Sequence, residues 1–244
     1  MDTIGQAIYN YHFNKVKDVI SVESNYTEDE EINPAHFFRV WEDMPEVEQK
    51  ALGLCRGKVL DIGAGAGCHA LELQKMGLEV VAFEKSELAS QVMRDRGVEN
   101  IVVKDIFCFS EKPFDTILLL MNGIGIAGTI SGLKELLKHL KSILAPGGQI
   151  LLDSTDIRYL FEEDDGSVWY DLAAENYYGE MTYTVNYLQK YFSTFPWLFV
   201  DFETLLQIAT EEGFNIELIT ESEENQFLTR LTINKQNKWE ISET

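Results

Sequence analysis

The segment VLDIGAGAG, Val59 to Gly67, decides the fold. It reads as the end of a buried strand, KVLDIG from Lys58 to Gly63, that runs into a glycine-rich turn and then a helix. Gly63, Gly65 and Gly67 let the backbone turn tightly and let a ligand approach without meeting a Cβ. Working outward, the pattern repeats. The short apolar runs EVVAFE, NIVVKD, FDTILLLM and GQILLDS alternate with amphipathic stretches at Cys68 to Met76, Glu87 to Arg96 and Gly132 to Leu144. From Lys58 to Ser154 this alternation predicts an α/β domain, a parallel sheet with helices on both faces. Pro146, Gly147 and Gly148 break the last helix and turn the chain into the next strand.

The flanks read differently. Thr155 to Val200 is rich in Tyr, Phe and Trp and is too long for a plain connection. Within it YYGEMTYTVNYLQKYF, Tyr177 to Phe192, alternates well enough to predict a β-hairpin or an extended strand. A helix over Phe202 to Glu212 and two strand-like runs, NIELITE and FLTRLTIN, follow as an antiparallel pair. Upstream, Asn33-Pro34 and Met44-Pro45 mark helix starts, because proline is tolerated where its missing N–H has no partner to lose. The expected organisation is a single domain: a helical N-terminal cap over 1–55, a core over 56–154, a β-rich insert over 155–200, and a C-terminal helix with its strand pair over 201–244.

Composition narrows the function classes. With 45% hydrophobic and 25% charged residues, and no apolar run near the roughly 20 residues that cross a bilayer, the expectation is a soluble globular protein without membrane spans. MDTIGQAIYNYH lacks the basic and apolar regions of a secretory signal, which points to the cytoplasm. The net charge of −21 repels a phosphate backbone, so nucleic acid is a poor substrate. Three unpaired cysteines and four scattered histidines predict no disulfide framework and no structural metal. The acidic runs TEDEE and FEEDDG read as solvated loops.

Two strand ends carry further chemistry. Glu84 closes VVAFE about 20 residues beyond the glycine turn, where a carboxylate can accept from both hydroxyls of a ribose. Asp105 closes the next strand, where it suits the exocyclic amine of an adenine while Ile106 packs on the ring; the alternative is a helix N-cap.

VLDIGAGAG, Glu84, Asp105, FDTILLLMNGIG and LAPGGQILLDS stand in the order seen in class I S-adenosylmethionine (SAM)-dependent methyltransferases, which the chain resembles over Lys58 to Ser154 and, in outline, to its end. The resemblance implies a seven-stranded Rossmann-like sheet whose last strand is antiparallel, with SAM as cofactor. By motif position it puts Asp61, Gly63, Ala64 and Gly65 near the methionine moiety, Glu84 with Lys85 at the ribose, and Asp105 with Ile106 at the adenine. It puts Met121, Asn122 and Gly123 beside the methionine portion and the incoming substrate. MNGIG lacks the proline-containing motif of enzymes that methylate nucleic-acid amines, which favours a small-molecule acceptor.

The lead-in PAHFFRVWEDMPEVEQKAL resembles the helical segment that precedes the core in many small-molecule methyltransferases. Tyr11, His36, Phe38 and Arg39 from the cap, and Trp169, Tyr178 and Tyr183 from the insert, are the candidate substrate residues. For the cap aromatics the competing role is core packing, and for the insert it is a homodimer interface. His36, Tyr11 and Tyr178 are the candidate bases. Two rival functions stand beside methyl transfer. A nicotinamide-dependent oxidoreductase shares the glycines and the strand-end acid, but its G-x-G-x-x-G turn would need glycine where Cys68 stands. A SAM-binding protein without turnover shares everything.

Overall fold

A computed structural model of the chain describes residues 1–24, 26, 30–111, 113–161 and 176–234. The N-terminal segment forms α1 (Thr3–Tyr9), a π-helical turn (Asn10–Asn14), β1 (Ile20–Ser24), β2 (Glu30–Ile32), two 3-10 turns (Pro34–Phe38 and Trp41–Asp43) and α2 (Glu46–Leu54). The core follows as β3 (Lys58–Ile62), α3 (Cys68–Lys75), β4 (Glu79–Glu84), α4 (Glu87–Arg96), β5 (Ile101–Val103), β6 (Phe114–Leu119), α5 (Ile130–Ile143) and β7 (Leu144–Thr155). Beyond it come β8 (Glu180–Tyr187), β9 (Tyr191–Leu198), α6 (Phe202–Glu211), β10 (Phe214–Glu221) and β11 (Gln226–Ile233).

Seven strands make the main sheet in the order β10-β11-β7-β6-β3-β4-β5. β3, β4, β5, β6 and β7 pair in parallel, and β11 is antiparallel to both its neighbours. The central strands are apolar on both faces because helices cover both. Val59, Val80, Ala82 and Leu118 pack with α2, α3 and α4, through residues such as Ala51, Leu73 and Met93. Leu60, Ile62, Val81 and Ile117 pack on the other side with Leu133, Leu137 and Leu140 of α5 and Leu205 of α6. A leucine buried this completely stabilises the fold by about 1.5–3 kcal/mol. Capping side chains begin the helices, with Ser86 accepting from Ala89 N, Thr129 from Gly132 N and Asp201 from Thr204 N.

Chain order reverses between β3 and β6. β4 and β5 extend the sheet on one side of β3, while β6 and β7 extend it on the other, so the carboxyl ends of β3 and β6 flank the switch point where open α/β sheets bind ligands.

A second sheet, β2-β1-β8-β9, joins the N-terminal segment to the insert. β1 pairs antiparallel with β8, Ile20 opposite Tyr187 and Ser24 opposite Tyr183. The expected hairpin is present as β8 and β9, but the helical reading of the N-terminal segment leaves out β1 and β2. β1 pairs antiparallel with β2, Ile20 opposite Ile32, and its other edge pairs with β8 far along the sequence. Ala7 of α1 packs on Ile20, Val22, Val185 and Tyr187 of this sheet. The sheet also reaches the core, because Trp197 and Pro196 of β9 press on Gly125 and Gly128 so closely that a Cβ at either glycine would meet them.

Candidate active site

The glycine turn is stitched to the end of β4. Gly63 N and Ala64 N donate to Phe83 O at 2.9 and 3.1 Å, and Gly65 N donates to Glu84 Oε2 at 2.8 Å. Gly63, Gly65 and Gly67 have φ of 77°, 55° and 82°, so a side chain at any of them would strain the backbone. A Cβ at Gly63 would meet nothing within 4 Å, while one at Gly65 would lie 3.7 Å from the Phe37 ring. The turn is thus an open backbone cradle at Gly63 with an aromatic residue of the N-terminal segment over its next glycine.

Glu84 is held ready at the edge of this cradle. Its Oε1 accepts from Lys85 N and Ser86 N at 2.8 and 2.9 Å. Burial raises its pKa, and the bonds from Ser86, Gly65 and Lys85 oppose that rise. Oε2 accepts one backbone bond and keeps capacity for a hydroxyl donor. Asp105 does cap a short 3-10 turn, through Oδ1 to Phe107 N at 3.0 Å, which leaves its second oxygen for another donor. Ile106 beside it is buried.

At the end of β6, Met121 and Asn122 both adopt left-handed backbone, φ 62° and 54°, which costs about 1–2 kcal/mol per non-glycine residue. Asp153, at the end of the adjacent β7, holds them there. Its Oδ1 accepts from Asn122 N at 3.0 Å and its Oδ2 from Gln226 Nε2 at 2.6 Å. Thr155 Oγ1 donates to Asn122 Oδ1 at 3.0 Å. Above these groups lies a cavity of about 510 Å³ lined by Asn122, Thr155, Tyr159, Glu224, Asn225 and Gln226.

Asp153 is fully buried, and burial pushes its pKa up to about 6 against the bonds from Asn122 and Gln226. A carboxylate raised in this way destabilises the fold wherever it is charged. The penalty is absent below the unfolded value near 3.8 and complete above about 6, where it reaches about 3 kcal/mol. Asp153→Asn removes the charge but weakens two hydrogen bonds by about 1 kcal/mol. The variant is expected to be about 2 kcal/mol more stable than the parent at neutral pH and to lose that advantage near pH 4. Denaturant unfolding across this range checks it, and a difference that does not vary with pH would remove the buried-charge reading.

A third group of charges, missed in the sequence, ties the N-terminal segment to the glycine turn. Arg39 Nη2 donates to Glu48 Oε1 and Oε2 at 2.6 and 2.7 Å, and His69 Nε2 lies 2.7 Å from Glu48 Oε2. All three side chains are buried. Burial alone would lower the pKa of His69, yet Cys68, Glu48 and Asp61 hold it well above the ordinary imidazole value, which favours its charged form. Burial pushes Asp61 up to about 6, opposed by His69 and the Ala70 amide. Glu48 was legible as an acid on an apolar helix face, with Ala51 and Leu52 at i+3 and i+4.

None of the described candidate substrate residues is among those that line the cavity. Phe38 packs with Ile8, Ala66, Ala89 and Val92, under the Arg96 guanidinium and 4.9 Å from the Tyr11 ring. Arg39 is committed to Glu48, and its Nη1 donates to Nδ1 of His36 at 2.7 Å. Burial, then Arg39, lowers the His36 pKa. Tyr183 sits on β8 among Phe195 and Phe199. The Tyr178 hydroxyl lies 2.9 Å from Asp156 Oδ1 and 3.1 Å from Asp201 Oδ2. Burial, then Tyr177, raises its pKa far above the phenol value. Trp169 lies outside the described residues.

Comparison with known proteins decides the family. The family model of a methyltransferase domain matches residues 41–219. A SAM-dependent methyltransferase from Bacteroides fragilis, solved in complex with S-adenosyl-L-homocysteine, is 39% identical, with a TM-score of 0.88 over 96% of this chain and 95% of that one. The chain belongs to the SAM-dependent methyltransferases. An amino pentose methyltransferase from Micromonospora echinaspora involved in calicheamicin biosynthesis shares the fold at 19% identity, with a TM-score of 0.56 over 80% of this chain and 92% of that one. A protein-L-isoaspartate O-methyltransferase from Aromatoleum aromaticum is 30% identical over 123 residues, 46% of this chain, and the match spans 52% of that relative's length.

Membership decides against the nicotinamide reading, and SAM is the cofactor of this methyltransferase. The residues present fit it. The cradle at Gly63 is open where a Cβ would otherwise stand, and Glu84 offers a carboxylate already oriented by three backbone amides. No helix among the described residues is long and apolar enough to cross a membrane.

Proposed function

We propose that the methyltransferase transfers the methyl group of SAM to a small-molecule acceptor seated in the cavity beside Asn122. In this reading Glu84 accepts from the ribose hydroxyls, with Lys85 alongside. Asp105 accepts from the adenine amine and Ile106 packs on the ring. Asp61, Gly63, Ala64 and Gly65 receive the methionine end, and Met121, Asn122 and Gly123 stand between cofactor and acceptor. When bound, SAM supplies an electrophilic methyl group on a sulfonium, and transfer leaves the thioether S-adenosylhomocysteine. The protein's own part is to align the acceptor with that methyl group and to keep water away, and alignment alone is worth several kcal/mol of barrier.

The cavity carries this reading. Its volume of about 510 Å³ suits a small molecule, and it adjoins the strained Asn122 backbone that Asp153 pins in place. A net charge of −21 repels polymeric phosphate. The test is incubation with methyl-labelled SAM and cell extract, followed by ultrafiltration. A new labelled species, distinct from SAM, is expected in the low-mass filtrate. Label confined to retained protein or nucleic acid would overturn the acceptor class, and intact S-adenosylhomocysteine binding without any labelled product would leave a cofactor-binding protein without turnover.

A further inference from the structure

Hydrogen bonds within the protein decide what each cavity residue has left to offer. Gln226 commits Nε2 to Asp153 Oδ2, which leaves Oε1 as an acceptor. Thr155 commits its hydroxyl proton to Asn122 Oδ1, so the threonine oxygen is also left to accept, while Asn122 keeps the Nδ2 donor. Glu224 adds an exposed carboxylate at the β10–β11 turn. Among the described residues, neither lysine nor arginine lines the cavity. Arg158, next to Tyr159, is engaged by Asp156 at 3.1 Å and stands 3.9 and 4.0 Å from Asp201 and Glu203.

The field is negative from below as well. Asp153 lies fully buried under Asn122 and Gln226 and is ionised above about pH 6. The walls are built rather than incidental. Asn122 and Asn225 are two of the non-glycine residues in left-handed backbone, φ 54° and 59°, and both line this one cavity. Strain of this kind persists where surrounding bonds hold it, which the Asn122 N to Asp153 Oδ1 bond and the Asp156 N to Asn225 O bond, both of 3.0 Å, supply.

Among the described lining residues the one charge is the Glu224 carboxylate; the Gln226 amide oxygen and the Thr155 hydroxyl oxygen accept beside it, and Asn122, Asn225 and Tyr159 add neutral polar groups, so the net charge of the surround favours a positive ligand. We propose that the cavity selects a small cationic acceptor, an ammonium-bearing molecule whose charge faces Glu224 and Gln226 Oε1 and whose hydrogen-bond acceptor faces Asn122 Nδ2. This rests on the methyl-transfer reading and names the substrate class for it. An acidic acceptor is repelled by the same groups, and a neutral one leaves Glu224 without a role.

The test uses the full chain and SAM carrying a trideuterated methyl group, with products in the low-mass filtrate recognised by mass and sorted by electrophoretic mobility at pH 7. Deuterated product is expected among the cations. With that acceptor purified, Glu224→Gln should raise KM about tenfold while kcat and S-adenosylhomocysteine affinity stay within about twofold, and Glu224→Lys should raise KM further. Because Glu224 is exposed, neither substitution threatens folding, and thermal unfolding at the parental temperature verifies this. Deuterated product among neutral or anionic species, or a Glu224→Gln KM within twofold of the parent, overturns the cationic assignment and leaves methyl transfer standing. Absence of deuterated product from every fraction, with S-adenosylhomocysteine still bound, overturns methyl transfer and the assignment together.

Discussion

Titration calorimetry on Glu84→Ala is expected to show S-adenosylhomocysteine bound at least tenfold more weakly than by the parent chain, with the variant still folded. The Glu84 carboxylate collects amides from the ends of two neighbouring strands, Gly65 N from the glycine turn after β3 and Lys85 N and Ser86 N from the turn after β4. Hydrogen bonds to a charged group contribute about 1.5–3 kcal/mol each, and a tenfold loss of affinity is only about 1.4 kcal/mol. Alanine removes the proposed ribose acceptor and also unties Gly65 from β4, so both the contact and its preorganisation are lost. Glu84→Gln separates the two. Its amide group presents donors to backbone amides at one end, so it retains part of the turn but not all three bonds. Its affinity should fall between those of the parent and the alanine variant. Parental affinity in a folded Glu84→Ala protein would remove the ribose assignment.

The core was legible because its signals are local. An apolar strand, a glycine turn and an amphipathic helix follow each other within VLDIGAGAG and its continuation, and α4 starts and stops where Ser86 and Gly97 mark it. The second sheet was half legible. Alternation from Tyr177 onward revealed the hairpin, although its turn carries no glycine signal: Leu188 and Gln189 take φ of 56° and 50° themselves. β1 alternates over only five residues, with Ile20 and Val22 buried, and β2 has only three residues, none of them buried, so neither run is long enough to stand out. The β1–β2 pairing is local, but the β1–β8 pairing that joins them to the insert depends on contacts that no short sequence window contains. In the site, the strand-end acids Glu84 and Asp105 were readable from position. Asp153 carries the same signal, an acid closing an apolar run, but its partners Asn122 and Gln226 come to it only through the fold. Tyr178 and Arg39 looked available in the sequence because their partners, Asp156, Asp201 and Glu48, reach them only through the fold.

Glu48→Ala is expected to lower the free energy of unfolding by about 3–5 kcal/mol, the cost of leaving buried charges without their partner. The side chains of Arg39 and His69 are 9% and 6% exposed, so water cannot replace the carboxylate that bridges them. Against a total stability of about 5–15 kcal/mol this is a large fraction, and denaturant unfolding will resolve it. The loss carries a pH signature. A histidine whose pKa is raised in the folded state contributes stability that is complete below the ordinary value of 6.5 and fades as pH rises through the folded value. In Glu48→Ala that contribution is reduced, so the gap between variant and parent should be widest near pH 6 and should narrow toward pH 9. Glu48→Gln keeps the volume and one acceptor oxygen, and its deficit should be smaller with a weaker dependence on pH. The same substitution releases Arg39, and with it the Pro34–Phe38 turn that lays Phe37 over Gly65. Amide exchange over residues 35–43 should therefore quicken in the variant while that of β3 and β6 follows only the global loss of stability. Equal stability of variant and parent, or a deficit constant from pH 6 to pH 9, would show that the Arg39–Glu48–His69 chain is not what anchors the N-terminal segment.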